Sequence, residues 1–273
     1  MNLLDKHNIY LELIKSAQDE HGFILSDECD SLLFTGLVGS VPKVKVDIDA
    51  AFDKVSQRWM RRPIECPCYP IGAASTISRD MLIGLAWYTY FNKRLDISEQ
   101  IIKYALSHWC IMGEAATLKD KFGRCFLSPG LLATYAEISY RLGGPNRWWL
   151  RWLPQYESPE VVGFESHLSV LHIILRKKLT NSSKYDKLLK MHSERQPNNA
   201  LFQVAVGNKN AVETILRDSR LFPEDRLPTS KDRVEQYLFQ RDEGSDWLPD
   251  LVNPEKVHSG LDFMITYFLL NNY

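Results

Sequence analysis

From Met81 to Phe91 the chain carries no charged residue, and Thr89 is its only small polar side chain. A helix with no polar face has to be covered on most of its sides. Comparable runs recur at Leu131 to Ile138, Leu168 to Leu175 and Leu261 to Leu270, with shorter ones at Leu32 to Val38 and Ala200 to Val206. Between them lie segments of a different kind. From Ile97 to Cys110, the apolar residues Ile97, Ile101, Ala105, Leu106, Trp109 and Cys110 alternate with Glu99, Gln100 and Lys103. That spacing gives a helix with one buried and one wet face. Leu3 to Ala17, Ala50 to Met60, Lys184 to Met191 and Ala211 to Leu216 follow the same pattern. Such a chain needs an inner layer of apolar helices and an outer layer of amphipathic ones. Strand-like alternation is scarce: Val41 to Ile48 is the one short candidate, weakened by Pro42 and its charges.

The chain has 273 residues, 45% of them hydrophobic, enough for a sizeable core. Its 33 basic and 34 acidic residues leave a formal charge of -1, so neither nucleic acid nor an anionic membrane is expected as a partner. The short basic group Arg58, Arg61 and Arg62 lies beside Glu65. The N-terminal segment reads as an amphipathic helix without the features of a signal peptide, and no run has the length of a membrane span. A cytoplasmic location is therefore expected. Five cysteines, an odd number, argue against a disulfide scaffold. Cys66-Pro67-Cys68 has the wrong spacing for a zinc knuckle and no second pair follows, so neither a metal nor another cofactor is expected. Phosphate-binding loops, nucleotide fingerprints, HExxH and a nucleophile elbow are all missing from the sequence.

In order, the apolar helices begin near residues 27, 79, 129, 165, 198 and 258, and amphipathic ones near 3, 50, 97, 184 and 211. Arg147 to Leu153 supplies a further outer partner, and the stretch 230–241 is an extra helix. The expected fold is all-α: a (α/α)6 toroid-like arrangement of helical hairpins, in a single domain over 1–273 with a loop or helix insertion at 220–257. This organisation resembles the six-hairpin glycosidase and polysaccharide-lyase superfamily. The resemblance covers most of the chain but is architectural, and no family motif carries a catalytic residue over. Irregular helical stacking or an open solenoid is the competing fold.

Polar residues collect at the starts of the apolar helices. The segments are Ser26-Asp27-Glu28-Cys29-Asp30, Ser78-Arg79-Asp80, Glu165-Ser166-His167, Asn198-Asn199 and His258-Ser259-Gly260-Leu261-Asp262. If successive apolar helices run parallel, these groups share one end of the fold. Helix capping accounts for some of them, Ser26, Ser78 and Ser128 in particular. It does not account for Arg79, whose charge meets the unfavourable end of the helix dipole. Nor does it account for His258 and Asp262, spaced to share a helix face. Asp27, Asp30 and Asp80 are therefore candidate catalytic carboxylates, and His258 with Asp262 a candidate proton-shuttling pair. Glu28, Arg79, Tyr69, Glu165, His167, Asn198, Asn199, Asp242 and Trp247 are candidate substrate-binding residues. Trp148, Trp149, Tyr156 and Trp247 fall in turn-rich segments suited to sugar platforms.

The leading expectation is a glycoside hydrolase acting on an oligo- or polysaccharide, with one carboxylate protonating the leaving oxygen and another activating water or attacking. A lyase acting on an acidic sugar polymer, with His258 or a tyrosine taking the proton, is the second. The third is a helical binding or assembly protein in which the polar starts are caps and ties, and a homo-oligomer is compatible with each.

Overall fold

Every apolar run of the sequence is a helix, and each is buried nearly all round. The computed structural model describes residues 1–24, 31–63, 77–113, 125–155, 157, 164–229, 232, 255 and 257–272. Among these the structure is mostly helical, with two small antiparallel strand pairs. It divides into two compact units: a central one, Gln18–Tyr156, and a terminal one formed by Met1–Ala17 with Glu157–Tyr273.

In the central unit, α2 (Ser31–Val38), α3 (Arg79–Phe91) and α5 (Pro129–Arg141) are the apolar helices. All residues from Met81 to Thr89 and from Gly130 to Ser139 are buried. The helix α4 (Leu95–Ser107) instead buries one stripe, Ile97, Ser98, Ile101, Ile102 and Ala105. The four-residue α6 (Trp148–Arg151) buries only Leu150.

Helices α2 and α3 run in the same direction, backbone against backbone. A Cβ added to Gly84 would lie 2.4 Å from the Leu33 carbonyl oxygen, and one added to Gly36 would lie 2.4 Å from the Gly84 oxygen. At their C-terminal ends Asn92 Nδ2 donates to the Gly39 carbonyl at 2.9 Å. Tyr135 of α5 donates its hydroxyl to the Leu82 carbonyl of α3 at 2.7 Å. Burial pushes that phenol well above its ordinary pKa, so it stays a donor.

The outer helix expected over Ala50 to Met60 does not form. A 3-10 turn, Ile48–Ala51, leads into a pair of two-residue strands, β1 (Phe52–Asp53) and β2 (Arg58–Trp59). The Asp53 carboxylate accepts from the Val55 and Ser56 amides and the Ser56 hydroxyl, and Gln57 takes a left-handed φ of 58°. An aspartate that satisfies local amides in this way competes with the helix. Val41 to Ile48, expected as a strand, is irregular up to Asp47 and enters the 3-10 turn at Ile48. Strands β3 (Ile111–Gly113) and β4 (Cys125–Phe126) form the other pair.

In the terminal unit the apolar helices are α7 (Phe164–Thr180), α9 (Ala200–Ala205) and α11 (Leu261–Leu270). The amphipathic ones are α1 (Leu3–Ser16), α8 (Asp186–Arg195) and α10 (Lys209–Arg217). Helix α1 buries Leu3, Lys6, His7, Tyr10, Leu11 and Ile14, a stripe at helical spacing. Its rings meet α11 antiparallel: Tyr10 stacks on Phe263 at 4.3 Å and His7 on Tyr267 at 4.4 Å. The buried Lys6 ammonium meets Glu224 at 3.1 Å. The stretch 230–241, expected as a helix, and most of the expected insertion at 220–257 lie outside the described residues.

One ion pair of the central unit sets a pH response. Arg147 grips Glu99 with two hydrogen bonds of 2.7 Å, and Ser139 donates to the same carboxylate at 2.6 Å. The guanidinium first, then the hydroxyl, holds the Glu99 carboxyl below its usual range against the opposing effect of burial. A carboxyl depressed in the folded state adds stability above its unfolded pKa, and that stability is lost as pH falls through the folded value. Thermal melting should therefore drop between about pH 5 and pH 3. In Glu99→Gln the drop should be shallower, and an unchanged slope would show that the pair contributes nothing.

Candidate functional site

The N-terminal ends of the three apolar helices of the central unit gather at one place. The Leu32 amide, in the first turn of α2, donates to the Arg61 carbonyl at 2.8 Å. Gly113 of β3 sits so tightly against Ile77, just ahead of α3, that an added Cβ would lie 2.9 Å from its nitrogen. Its strand partner Cys125 lies just ahead of Ser128, the N-cap of α5. The Cys125 thiol is within electrostatic reach of Asp80, Arg61 and Arg79. The β3–β4 pair thus joins the start of α3 to that of α5, and Arg61 joins both to α2.

Arg79 is exposed and Asp80 half-buried. They occupy the first turn of α3, ahead of its buried stretch from Met81 to Thr89. The Asp80 carboxylate accepts from the Ser78 hydroxyl. Ser78 stands at the N-cap, but its hydroxyl accepts no bond from the amides of the first turn. Ser128 does cap, accepting from the Leu131 amide at 3.3 Å. Burial, aided by Asp80 and opposed by the two guanidiniums, pushes the Cys125 thiol up to about 11, which disfavours the nucleophilic thiolate.

In the terminal unit the starts of α7 and α9 are joined directly. The Asn199 carbonyl oxygen caps α9, accepting from the Leu201 and Phe202 amides at 3.1 and 3.4 Å. Its amide nitrogen donates to His167 Nε2 at 2.6 Å and to Gln196 Oε1 at 2.8 Å. All four hydrogen-bonding positions of the side chain are used, and the residue is fully buried. Asn199, expected to bind substrate, is therefore a tie between helices. Because the amide donates to it, His167 accepts at Nε2 and is the neutral tautomer with its proton on Nδ1. Two further side chains of α7 meet Glu157, which accepts from His172 Nδ1 at 2.8 Å and from Ser169 at 2.7 Å, so His172 is a satisfied core histidine.

Glu165 and Asn198 are exposed, His258 is half-buried, and Asp262 is 3% exposed in the first turn of α11. His258 and Asp262 do not share a helix face as their spacing suggested. Gly260 between them has a left-handed φ of 66°, and the helix begins only at Leu261. His258 instead donates its backbone amide to the Pro228 carbonyl at 2.8 Å. Asp27, Glu28, Asp30, Tyr69, Asp242 and Trp247 lie outside the described residues, as does Cys66-Pro67-Cys68.

Sequence reasoning singled out Arg79 and Asp80 but passed over Arg61 and Cys125 as companions. Their link to α2 and α3 is long-range, through a backbone carbonyl and a strand pair, which no local pattern announces. A recess lined by Arg58, Trp59, Ile77, Ile101, Tyr104 and Met112, among others, encloses a volume of about 0 Å3, too little for a water molecule. It falls below the roughly 300–1,000 Å3 of ligand pockets and holds no sugar ring unaided. Among the described residues no group of three or more His, Cys, Asp or Glu is arranged to hold a metal ion. No helix among them is long and apolar enough to cross a membrane. No protein family matches the chain, and neither a curated protein nor a solved structure shows significant similarity to it.

Proposed function

We propose that this chain is a carbohydrate-active enzyme, a glycoside hydrolase that cleaves an oligo- or polysaccharide by carboxylate general acid/base chemistry. The observation that carries the reading is the setting of Asp80. Three apolar helices of the central unit begin around it, with Arg61 and Arg79 as companions. A carboxyl group at a shared rim, hydrogen-bonded by Ser78, is placed to protonate a leaving oxygen. Arg79, exposed beside it, reaches hydroxyl or carboxylate groups of the substrate. The acidic segment Asp27, Glu28 and Asp30 precedes α2, whose first turn Arg61 holds, and it supplies the second carboxylate. The separation of the two decides between inversion and retention.

The terminal unit supports the same plan. Its helices α7 and α9 also bring their starts together, through His167 and Asn199. The alternation of fully buried and one-faced helices within each unit is the pattern from which a ring of six hairpins is proposed as the arrangement of the chain.

The test is a screen of neutral and acidic glycans for new reducing ends, with wild type and Asp80→Asn compared. Loss of a general acid should lower turnover by about 10²–10⁴-fold while the melting temperature stays put. Full activity in Asp80→Asn would remove Asp80 from the chemistry. Products that absorb in the ultraviolet through a new double bond would move the reading to a polysaccharide lyase. No turnover on any glycan, with Asp80→Asn altering only stability, would leave a binding or assembly protein.

A further inference from the structure

We infer that Trp148, Trp149 and Trp152 form a binding platform for a neutral polysaccharide on the central unit. The three indoles are 64%, 50% and 82% exposed, an unusual concentration of aromatic surface on one short helix. The Trp152 amide donates to the Trp148 carbonyl at 3.1 Å, so the two side chains start one helical turn apart, roughly 5–6 Å between Cβ atoms.

The platform is held from beneath. Leu150 is the inward anchor, at 1% exposure. On one side Arg147 is clamped to Glu99. On the other, Arg151 donates to Glu137 at 2.6 Å and to Asn146 at 2.8 Å, and its guanidinium lies 3.8 Å over the Tyr140 ring. Rigid aromatic faces lose little side-chain entropy when a flat ligand settles on them. The supports Glu137 and Tyr140 lie in the last turns of α5, whereas Asp80 belongs to the rim at its start. At 1.5 Å per residue the two ends are roughly 15 Å apart, so this is a separate site.

Charge and area choose the occupant. The local sequence Arg147-Trp148-Trp149-Leu150-Arg151-Trp152 reads at first as a patch for anionic lipid. Its cations are already used: Arg147 pairs with Glu99, and Arg141 and Arg151 share Glu137. Three arginines against two glutamates leave one net positive charge, far from the 4–8 basic residues that draw an anionic membrane. Three indoles exposed to this degree offer roughly 300–500 Å2. That is well short of the roughly 800 Å2 per partner in a stable protein interface. A pyranose presents an apolar C–H face of about one ring and hydroxyls at its edge, and carries no charge. It fits a group of exposed indoles whose neighbouring charges are paired.

This inference goes beyond the proposed hydrolysis, because binding here needs no turnover. The experiment is affinity electrophoresis of the full chain in dextran, laminarin, galactomannan and xyloglucan, beside polygalacturonate. Flotation on phosphatidylserine vesicles and sedimentation equilibrium run in parallel. At least one neutral polysaccharide should retard the chain, and Trp148→Ala or Trp152→Ala should weaken that binding at least tenfold. Trp152→Tyr should keep most of it. Trp109→Ala, at an indole 89% exposed elsewhere, should leave it unchanged. Retardation by none of the neutral polymers would overturn the inference, as would equal retardation of the Trp148 and Trp152 variants. Vesicle binding or self-association that disappears in those variants would overturn it in favour of a membrane or a second copy.

Discussion

Gly84→Ala should destabilise the central unit by about 3 kcal/mol, although alanine is the better helix former. In a helix with room around it, the same change would stabilise by about 1 kcal/mol, so the sign of the effect is the test. Room is what α3 lacks. The new methyl would lie 2.4 Å from the Leu33 carbonyl oxygen and 2.7 Å from its Cα, both backbone atoms of α2. No rotamer relieves such a contact; the helices have to move apart. Separation strains the Asn92 bond to Gly39 and opens contacts between residues that are otherwise fully buried. Against total stabilities of about 5–15 kcal/mol, a loss of that size is large. Gly36→Ala attacks the same contact from the other helix, so the double variant should lose less than the two single losses added together. Urea melts of the variants settle the matter, with amide exchange across α2 and α3 to localise the loss. A midpoint equal to or above that of wild type would show that the two helices do not touch there.

That contact also marks a limit of what the sequence discloses. The apolar runs Met81 to Phe91 and Leu261 to Leu270 announce buried helices because a missing polar face has one physical remedy, a covering layer. The stripe of α4 was legible for the complementary reason. The glycines at 36 and 84 carried no such message, since which backbone approaches which is a tertiary fact. Ala50 to Met60 misled because periodicity takes no account of Asp53, whose carboxylate satisfies nearby amides more cheaply than a helix would. Spacing also misled at His258 and Asp262, where one left-handed glycine breaks the helical path between them.

The candidate site divides along the same line. That polar groups mark the starts of apolar helices could be read directly, and the starts of α2, α3 and α5 do converge. The part each group plays depended on its partners. Asn199 is an unusual residue by sequence and a fully occupied tie by structure. Asp80, equally unusual, keeps a half-exposed carboxylate at the rim, which makes it the stronger candidate for chemistry.

Removing the Glu137 carboxylate should cost about as much as the glycine contact. Glu137 belongs to the stretch of α5 from Gly130 to Ser139 that is buried throughout, and it is 4% exposed. A carboxylate there survives only because two guanidiniums meet it: Arg141 at 3.0 Å on one oxygen and Arg151 at 2.6 Å on the other. Glu137→Ala leaves Arg151, itself 20% exposed, without its carboxylate while still stacked over Tyr140. Stranding one member of a largely buried pair costs about 3–5 kcal/mol, and the lower end applies because Arg151 can turn partly toward water. Glu137→Ala with Arg151→Met removes the stranded charge and should recover at least half of the loss, a recovery that a simple cavity would not show. The α6 platform rests on the same arginine. Glu137→Ala should therefore also weaken any polysaccharide binding at Trp148 and Trp152 under conditions where the chain remains folded. Unchanged stability in Glu137→Ala would mean that the guanidiniums are held by packing alone.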